Sequence, residues 1–356
     1  MAYKDLLAFL DILEKEGELK RISLPLSPIL EITEITDRVS KKEGPALFFE
    51  KVEGHAFPVV TNLVGSGKRL SLAFGGESPD QIGRRLEALL EMAPPATVWE
   101  GMKELPKFWR LFKAAPRKVE KAPCQEVVLS EPDLGLLPAL KCWPGDGGRF
   151  ITLPLVITKD PDTGQRNVGM YRLQIFDSRT LGLHWHPQKD GAQHFRSSQK
   201  RGKRLEAAIA IGVDPATLYS ATAPLPEGVD EFLFSGFLRQ EPLEIASCLH
   251  VSQEVPAHSQ FVIEGYVEPG ERRVEGPFGD HTGFYSLPDL YPVFHVTCVT
   301  HRKNPVYPAT IVGVPPMEDY YLGKATERIF LPLAVSWTLA AAHFRVTATP
   351  SEICAD

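Results

Sequence analysis

The stretch "ITLPLVITKDPDTGQRNVGMYRLQIFD", residues 151 to 177, decides the fold class. Its two halves are rich in the β-branched and aromatic residues of strands, and the "PDTG" between them is turn chemistry. Further along, "SRT" leads into "LGLHWH" (181 to 186), and strands return with "QFVIEGYVE" (260 to 268), the turn "PGE", and "YPVFHVTCVTHR" (291 to 302). Helices are expected over 195–211 and 229–239. Strands interrupted by helical inserts predict an antiparallel barrel or sandwich carrying excursions.

Upstream the character is α+β. Leu6, Leu7, Leu10, Ile12 and Leu13 recur at helical spacing over residues 3–16, and Gly17 stops the pattern. A second helix is expected from Pro28 to Lys42, with Ser27 as N-cap and Ile29, Ile32, Ile35 and Val39 as its apolar stripe. "ALFFEKV" and "FPVVTNLVG" have strand composition, and "SPDQIGRRLEALLEM" repeats the Ser-Pro start of a helix. Residues 114–123, "AAPRKVEKAP", have the composition of a linker. The tail "AVSWTLAAAHFRVTATPSEICAD" suggests a short closing helix without an evident partner segment.

Composition narrows the function. The 356 residues suffice for two or three ordinary domains, and 43% hydrophobic with 24% charged residues is the balance of a globular protein. A net charge of −6 gives no reason to expect nucleic acid as a partner, and the basic run "KRGKR" (200 to 204) is short enough to be a solvated helix face. Five scattered cysteines without a CxxC pair fit a reducing compartment. The acidic, amphipathic N-terminus has no signal-peptide pattern, and no apolar run approaches the ~20 residues that span a bilayer. A cytoplasmic location is expected.

Three constellations could carry chemistry. In "RRVEGPFGDHTGFYS" (272 to 286), Glu275 and Asp280 flank a Gly-Pro-Phe-Gly corner among apolar residues that would raise a carboxyl pKa. In "NVGMYRLQ", strand alternation places Met170, Arg172 and Gln174 on one face and Asn167, Gly169 and Tyr171 on the other. A barrel arginine needs an anion, whether Glu275, Asp280 or a ligand carboxylate or phosphate. Two acids and one arginine are expected to titrate apart, one protonated and one ionised. In "HWHPQKDGAQH", His184 and His186 share a strand face and His194 follows, without a zinc-site rhythm. The GxxxxGK[ST], GxSxG and HExxH motifs are absent, and "VGSGKR" is too short for a phosphate loop.

Taken together, "CWPGDGGRFITLPLVITKDPDTGQRNVGMYRLQIFD", "LHWHPQKDGAQHF", "PLPEGVDEFLFSGFLR" and "EGPFGDHTGFY" resemble the UbiD family of prenylated-flavin-dependent decarboxylases, in family order. The resemblance implies an N-terminal α+β domain (1–115), a split β-barrel flavin-binding catalytic domain with helical inserts (116–315), and a remnant of a C-terminal domain (316–356) that family members carry at greater length. It implies prenylated FMN made by a separate flavin prenyltransferase, and Mn2+, often alongside K+, at its phosphate. Asn167, Glu231 and His194 are the implied metal ligands. Met170, Tyr171, Arg172, His184, Trp185, His186, Lys189 and Asp190 are the implied flavin cradle. Glu275, Arg172 and Asp280 match the family's Glu-Arg-acid triad, in which the arginine orients the substrate carboxylate and Asp280 returns a proton. The implied reaction is non-oxidative decarboxylation of an aromatic acid, 4-hydroxy-3-polyprenylbenzoate of the ubiquinone route being the default. Naphthoate decarboxylation in menaquinone synthesis, reversible carboxylation of (hetero)aromatics, and flavin binding without turnover remain alternatives. The family implies homo-oligomers, dimers or hexamers, and a polyprenylated substrate would bring peripheral membrane contact.

Overall fold

The computed structural model describes residues 3–90, 114–226 and 228–347, with side chains described to residue 334, that of residue 90 excepted. A four-stranded sheet lies in the N-terminal part, formed by β1 (Leu19–Ile22), β2 (Ala46–Phe49), β3 (Val59–Thr61) and β16 (Tyr307–Ala309), in the order β1-β2-β3-β16. Helices α1 (Leu6–Lys15), α3 (Gly67–Ala73) and α4 (Pro79–Leu90) cover it, burying Leu6, Phe9, Leu10, Leu13, Leu70 and Ile82. Helix α1 starts where Asp5 accepts the Ala8 N–H at 2.9 Å, an N-cap that satisfies one of the helix's free donors.

The second helix is shorter than its sequence pattern suggests. Helix α2 covers Glu31–Ser40, and neither Ser27 nor Pro28 belongs to it. Ile29 instead forms a bridge to Lys141, and Leu30 turns the chain at φ 69° before the helix begins. Tertiary pairing of the 27–30 segment overrides the local start signal.

The larger sheet has nine strands, all antiparallel, running β6-β9-β10-β15-β14-β11-β7-β8 with β5 (Val127–Val128) attached to β15. Its members are β6 (Phe150–Ile151), β7 (Pro154–Lys159), β8 (Arg166–Met170), β9 (Leu173–Ile175), β10 (Thr180–Leu183), β11 (Leu205–Ile211), β14 (Phe261–Glu275) and β15 (Asp289–His301). Strands β8 and β9 are separated by two residues in sequence, yet they sit toward opposite ends of this order. The chain therefore crosses between the two ends of the sheet at Tyr171–Arg172, and no ladder joins β8 to β9: a split barrel that does not close there. The single strand expected over 166–177 is broken there.

The expected helix over 195–211 also divides. Helix α5 (Asp190–Lys200) ends before Gly202, which adopts φ 62°, and "LEAAIAI" then forms β11 in mid-sheet. Ala207, Ile209 and Ile211 face one core while Ala208 and Ala210 face another. A strand buried on both faces loses the alternation that marks strands, so it imitates a helix. The "PGE" turn is a bulge within β14, which runs on to Glu275 after the register shifts between Val267 and Arg272.

The expected linker 114–123 contains β4 (Arg117–Lys118), which joins β12 (Glu244–Ser247) and β13 (Glu254–Pro256) in a third small sheet. Helices α6 (Pro215–Ser220) and α7 (Glu231–Arg239) pack beside the barrel, α7 capped by Asp230 accepting the Phe232 N–H at 2.7 Å. Helix α8 (Glu318–Thr347) begins upstream of the tail and runs into it; its first part packs on the N-terminal unit, and the tail's side chains beyond residue 334 lie outside the described residues. Leu322, Ala325 and Ile329 enter the N-terminal core, and Arg328 pairs with Asp80 of α4 at 2.7 Å. The last residues of the tail, 348–356, lie outside the described residues.

Candidate active site

At the split in the barrel Tyr171 is buried and the Arg172 side chain reaches the end of β14. There its Nε donates to Glu275 Oε1 at 3.0 Å and its Nη2 to Glu275 Oε2 at 3.3 Å and to Ser286 Oγ at 3.0 Å. Such a forked pair fixes guanidinium orientation as well as charge. Phe278 lies under the guanidinium, its centroid 4.5 Å away. Asp280 Oδ2 stands 3.8 Å from Arg172 Nη1. The three residues that sequence reasoning grouped are therefore one cluster.

Histidines extend it. His184 Nδ1 lies 3.0 Å from Glu275 Oε2, its Nε2 lies 3.1 Å from His186 Nε2, and its ring packs 4.4 Å from Tyr291. Both histidines follow the end of β10 and lie outside the strand, and their rings still meet at 4.7 Å. Burial, the charge of His184 and the nearby Arg172 and Lys189 hold the His186 imidazole below its ordinary value.

Both carboxyls are held below their ordinary value, so neither is the protonated member of the pair that the sequence predicts. Burial of Glu275 pushes its carboxyl up, but the hydrogen bonds and charges of His184 and Arg172 outweigh it and leave the group below the usual range. Burial of Asp280 acts likewise and is outweighed by hydrogen bonds from the His281 N–H (2.7 Å) and Nδ1 (2.8 Å) and by the charges of His281 and Arg172. The expected split fails because cationic groups sit beside both carboxylates, so neither is left to bear the repulsion alone.

Along the same seam, Asn167 lies on β8, Glu231 binds that strand's backbone, and His194 reaches the neighbouring β7. Asn167 is buried beside Tyr171 Oη, 3.5 Å from its Nδ2, and is paired across the ladder with Thr158. Thr158 Oγ1 lies 2.9 Å from His194 Nδ1, which leaves His194 Nε2 as the ring nitrogen available to another partner. Glu231 Oε2 accepts the Val168 N–H at 3.0 Å. Burial pushes the Glu231 carboxyl up to about 7, and the negative charges of Asp230 and Asp190 add to the effect. Among the described residues no group of three or more His, Cys, Asp or Glu side chains converges as a metal shell. An amide oxygen and a carboxylate among further acids nonetheless suit a hard divalent cation, and an imidazole oriented by a threonine suits one as well.

The residues implied as a flavin cradle lie on either side of the split. Met170 and Tyr171 lead into Arg172 at the split, while Trp185 stacks edge-on to Tyr171 at 6.3 Å and packs on Phe195. The Trp185 indole N–H is buried and has no acceptor among the described residues. Lys189 is the N-cap of α5 but gives it no side-chain cap, and Asp190 opens the helix. The Gly191 N–H in that first turn meets the Tyr171 hydroxyl.

Sequence reasoning missed the residues that brace the corner. Gln174 Oε1 accepts the Gly276 N–H at 2.7 Å, and Ser286 Oγ holds both Arg172 and the Phe278 N–H (3.2 Å). Gly147 donates to the Pro277 carbonyl at 2.7 Å, and a Cβ at Gly147 would overlap the Gly276 carbonyl oxygen. Gly147→Ala is therefore expected to lower stability by about 1–3 kcal/mol, read by denaturant unfolding, because backbone would have to shift. An unchanged midpoint would show that the corner yields freely.

Comparison with known proteins agrees with this geometry. Residues 10–90 match the 3-octaprenyl-4-hydroxybenzoate carboxy-lyase N-terminal domain of UbiD, and residues 117–315 match the corresponding Rift-related domain. The chain belongs to the UbiD family of carboxy-lyases. An uncharacterized protein from Archaeoglobus fulgidus is 53% identical over 334 residues, covering 94% of this chain and 69% of its own length. Among solved structures, an evolved dimeric form of the UbiD-class enzyme HmfF from Pelotomaculum thermopropionicum, in complex with prFMN, is 34% identical with a TM-score of 0.80. The alignment covers 92% of this chain and 72% of that one. Vanillic acid decarboxylase of Sedimentibacter hydroxybenzoicus in its closed form is 31% identical with a TM-score of 0.79, covering 90% of this chain and 67% of that one. Among the described residues, no helix is long and apolar enough to cross a membrane.

Proposed function

We propose that this UbiD-family protein decarboxylates an aromatic acid without net oxidation, using prenylated FMN, with 4-hydroxy-3-polyprenylbenzoate as substrate. The observation that carries the proposal is the Arg172 fork on fully buried Glu275, with Asp280 at 3.8 Å on its other side. The prFMN bound by the HmfF neighbour supports the cofactor, and the name of the matched domains supports the substrate.

Glu275, ionised and fixed by His184, holds Arg172 so that its remaining donors can bind and orient the substrate carboxylate. That second anion shares the guanidinium's charge, which pushes the neighbouring Asp280 carboxyl up toward a donor's value. When bound, prenylated FMN supplies the electron sink for the bonding pair. The bond from ring carbon to carboxylate breaks, carbon dioxide leaves, and Asp280 delivers the proton that forms the new C–H bond. Asp280 then regains a proton on its solvent side; its side chain is 33% exposed. Phe278 and the buried strands around the cluster limit water at the reacting carbon.

In this proposal Asn167, Glu231 and His194 would hold Mn2+, with K+ as a second ion, and the cation would offset the charge of the flavin phosphate. Asn167→Ala or Glu231→Ala should lower Mn2+ retention at least about 10-fold, measured by metal analysis after dialysis, and unchanged content would refute the assignment. The division into residues 1–115, 116–315 and 316–356, supply of the cofactor by a flavin prenyltransferase, a homo-oligomeric state and a cytoplasmic setting complete the proposal. Its test is co-expression with such a prenyltransferase, followed by cofactor mass and carbon dioxide release from the substrate. Prenylated flavin with release is expected; loaded protein that releases none from any aromatic acid would favour binding without turnover.

A further inference from the structure

Asp146 sits in "CWPGDGG", outside every role assigned above, and is 4% exposed. Its Oδ2 accepts the N–H groups of Cys142 (3.1 Å) and Trp143 (2.8 Å), and its Oδ1 accepts that of Gly279 (2.8 Å). Gly279 immediately precedes Asp280. A Cβ there would overlap the Trp143 indole, whose Nε1 donates to the Val312 carbonyl at 2.8 Å. Two more ties join the same pair of loops. Gly147 donates to the Pro277 carbonyl at 2.7 Å, and Gly145 donates to Tyr285 Oη at 2.9 Å. The acid corner is thus held at residues 277, 279 and 285 by a single loop, residues 142–147. The buried carboxylate that organises this loop also grips the corner.

We infer that Asp146 is a positioning residue that sets the reach of Asp280 toward Arg172 and the reacting carbon. The inference rests on the role proposed for Asp280. A carboxylate serves three donors with two acceptor oxygens. An amide keeps only one acceptor, and its NH2 would face an N–H. Asp146→Asn therefore releases either Gly279 or the Cys142–Trp143 turn without changing side-chain size. A displacement on the order of 1 Å at the corner costs about 10²-fold in rate.

The test is kinetics and crystallography of Asp146→Asn in the flavin-loaded enzyme. The expected result is kcat lower by about 10²-fold, KM and flavin content unchanged, and a crystal structure with the Asp280–Arg172 separation altered. A kcat equal to wild type, or an Asp280 carboxylate still at its wild-type distance from Arg172, overturns the inference. The structural arm stands even if the wild-type protein proves inactive, an outcome that would refute the proposed function and leave this inference to be judged by geometry. If Asp146→Asn does not fold, Tyr285→Phe removes the outermost tie at a residue 46% exposed. There kcat should fall about five-fold, the worth of one hydrogen bond, with KM constant, and an unchanged kcat overturns the template.

Discussion

Arg172→Ala should lower kcat/KM by about 10³-fold or more, equivalent to ~4 kcal/mol of transition-state stabilisation. Two losses combine in that figure. The substrate carboxylate loses the remaining guanidinium donors that orient it, and Glu275 loses the cation that keeps it fixed. Stability should fall as well, by about 3 kcal/mol, because Glu275 is fully buried and keeps only the His184 ring nitrogen as a side-chain partner. The pH dependence follows from the direction of the Glu275 shift. Its folded-state pKa lies below the unfolded value, so the wild-type contribution is present above about pH 4.3 and disappears as pH falls through the lower folded value. The mutant's deficit should therefore be greatest near neutrality and shrink on acidification. Steady-state kinetics and urea unfolding between pH 3 and 7 check both statements. Activity within ten-fold of wild type would remove Arg172 from the mechanism. Arg172→Lys should rescue little, since a lysine cannot reproduce the fork.

Asp280→Asn has the opposite signature. Turnover should fall by roughly 10²–10⁴-fold, the usual worth of a positioned general acid, while unfolding stability stays within about 0.5 kcal/mol of wild type. The difference arises from placement. Asp280 sits on a loop with a third of its side chain in solvent and its nearest contacts from His281, so no buried charge is stranded by neutralising it. Substrate binding should persist, because Arg172 and Glu275 are untouched. Kinetics with a binding titration would separate the two effects, and full activity in Asp280→Asn would assign the proton transfer elsewhere. Together the variants distinguish a residue that builds the site from one that acts within it.

Much of this was legible in the sequence, for identifiable reasons. The turn at "PDTG", the helix near 229–239 and the acid corner all follow local chemistry that acts within a few residues. The grouping of Glu275 with Arg172 came through because a barrel arginine requires an anion, although which one was open until the structure placed the fork on Glu275. What escaped depends on long-range pairing. Nothing in "GMYRLQ" shows that the strand breaks at Tyr171, since the break is set by the chain crossing between the far ends of a sheet. Burial on both faces erased the alternation of "LEAAIAI", and pairing of Ile29 with Lys141 displaced the start of α2. Asp146, Gln174 and Ser286 act on backbone groups more than 90 residues away, or on Arg172, and polar residues near glycines carry no local mark of that. The splitting of the two carboxyls failed as an expectation because His281 and His184 supply additional donors that spacing does not reveal.

The most direct measurement is solvent deuterium exchange into the decarboxylated aromatic product, catalysed by protein loaded through co-expression with a flavin prenyltransferase and Mn2+. Exchange requires the acid corner to exchange a proton with the ring carbon and does not depend on net carbon dioxide release. Deuterium confined to the carbon that had borne the carboxylate, lost in Asp280→Asn and retained in a conservative surface variant, is the expected result. Exchange of equal rate in Asp280→Asn, or none in a loaded wild-type protein, would contradict the account.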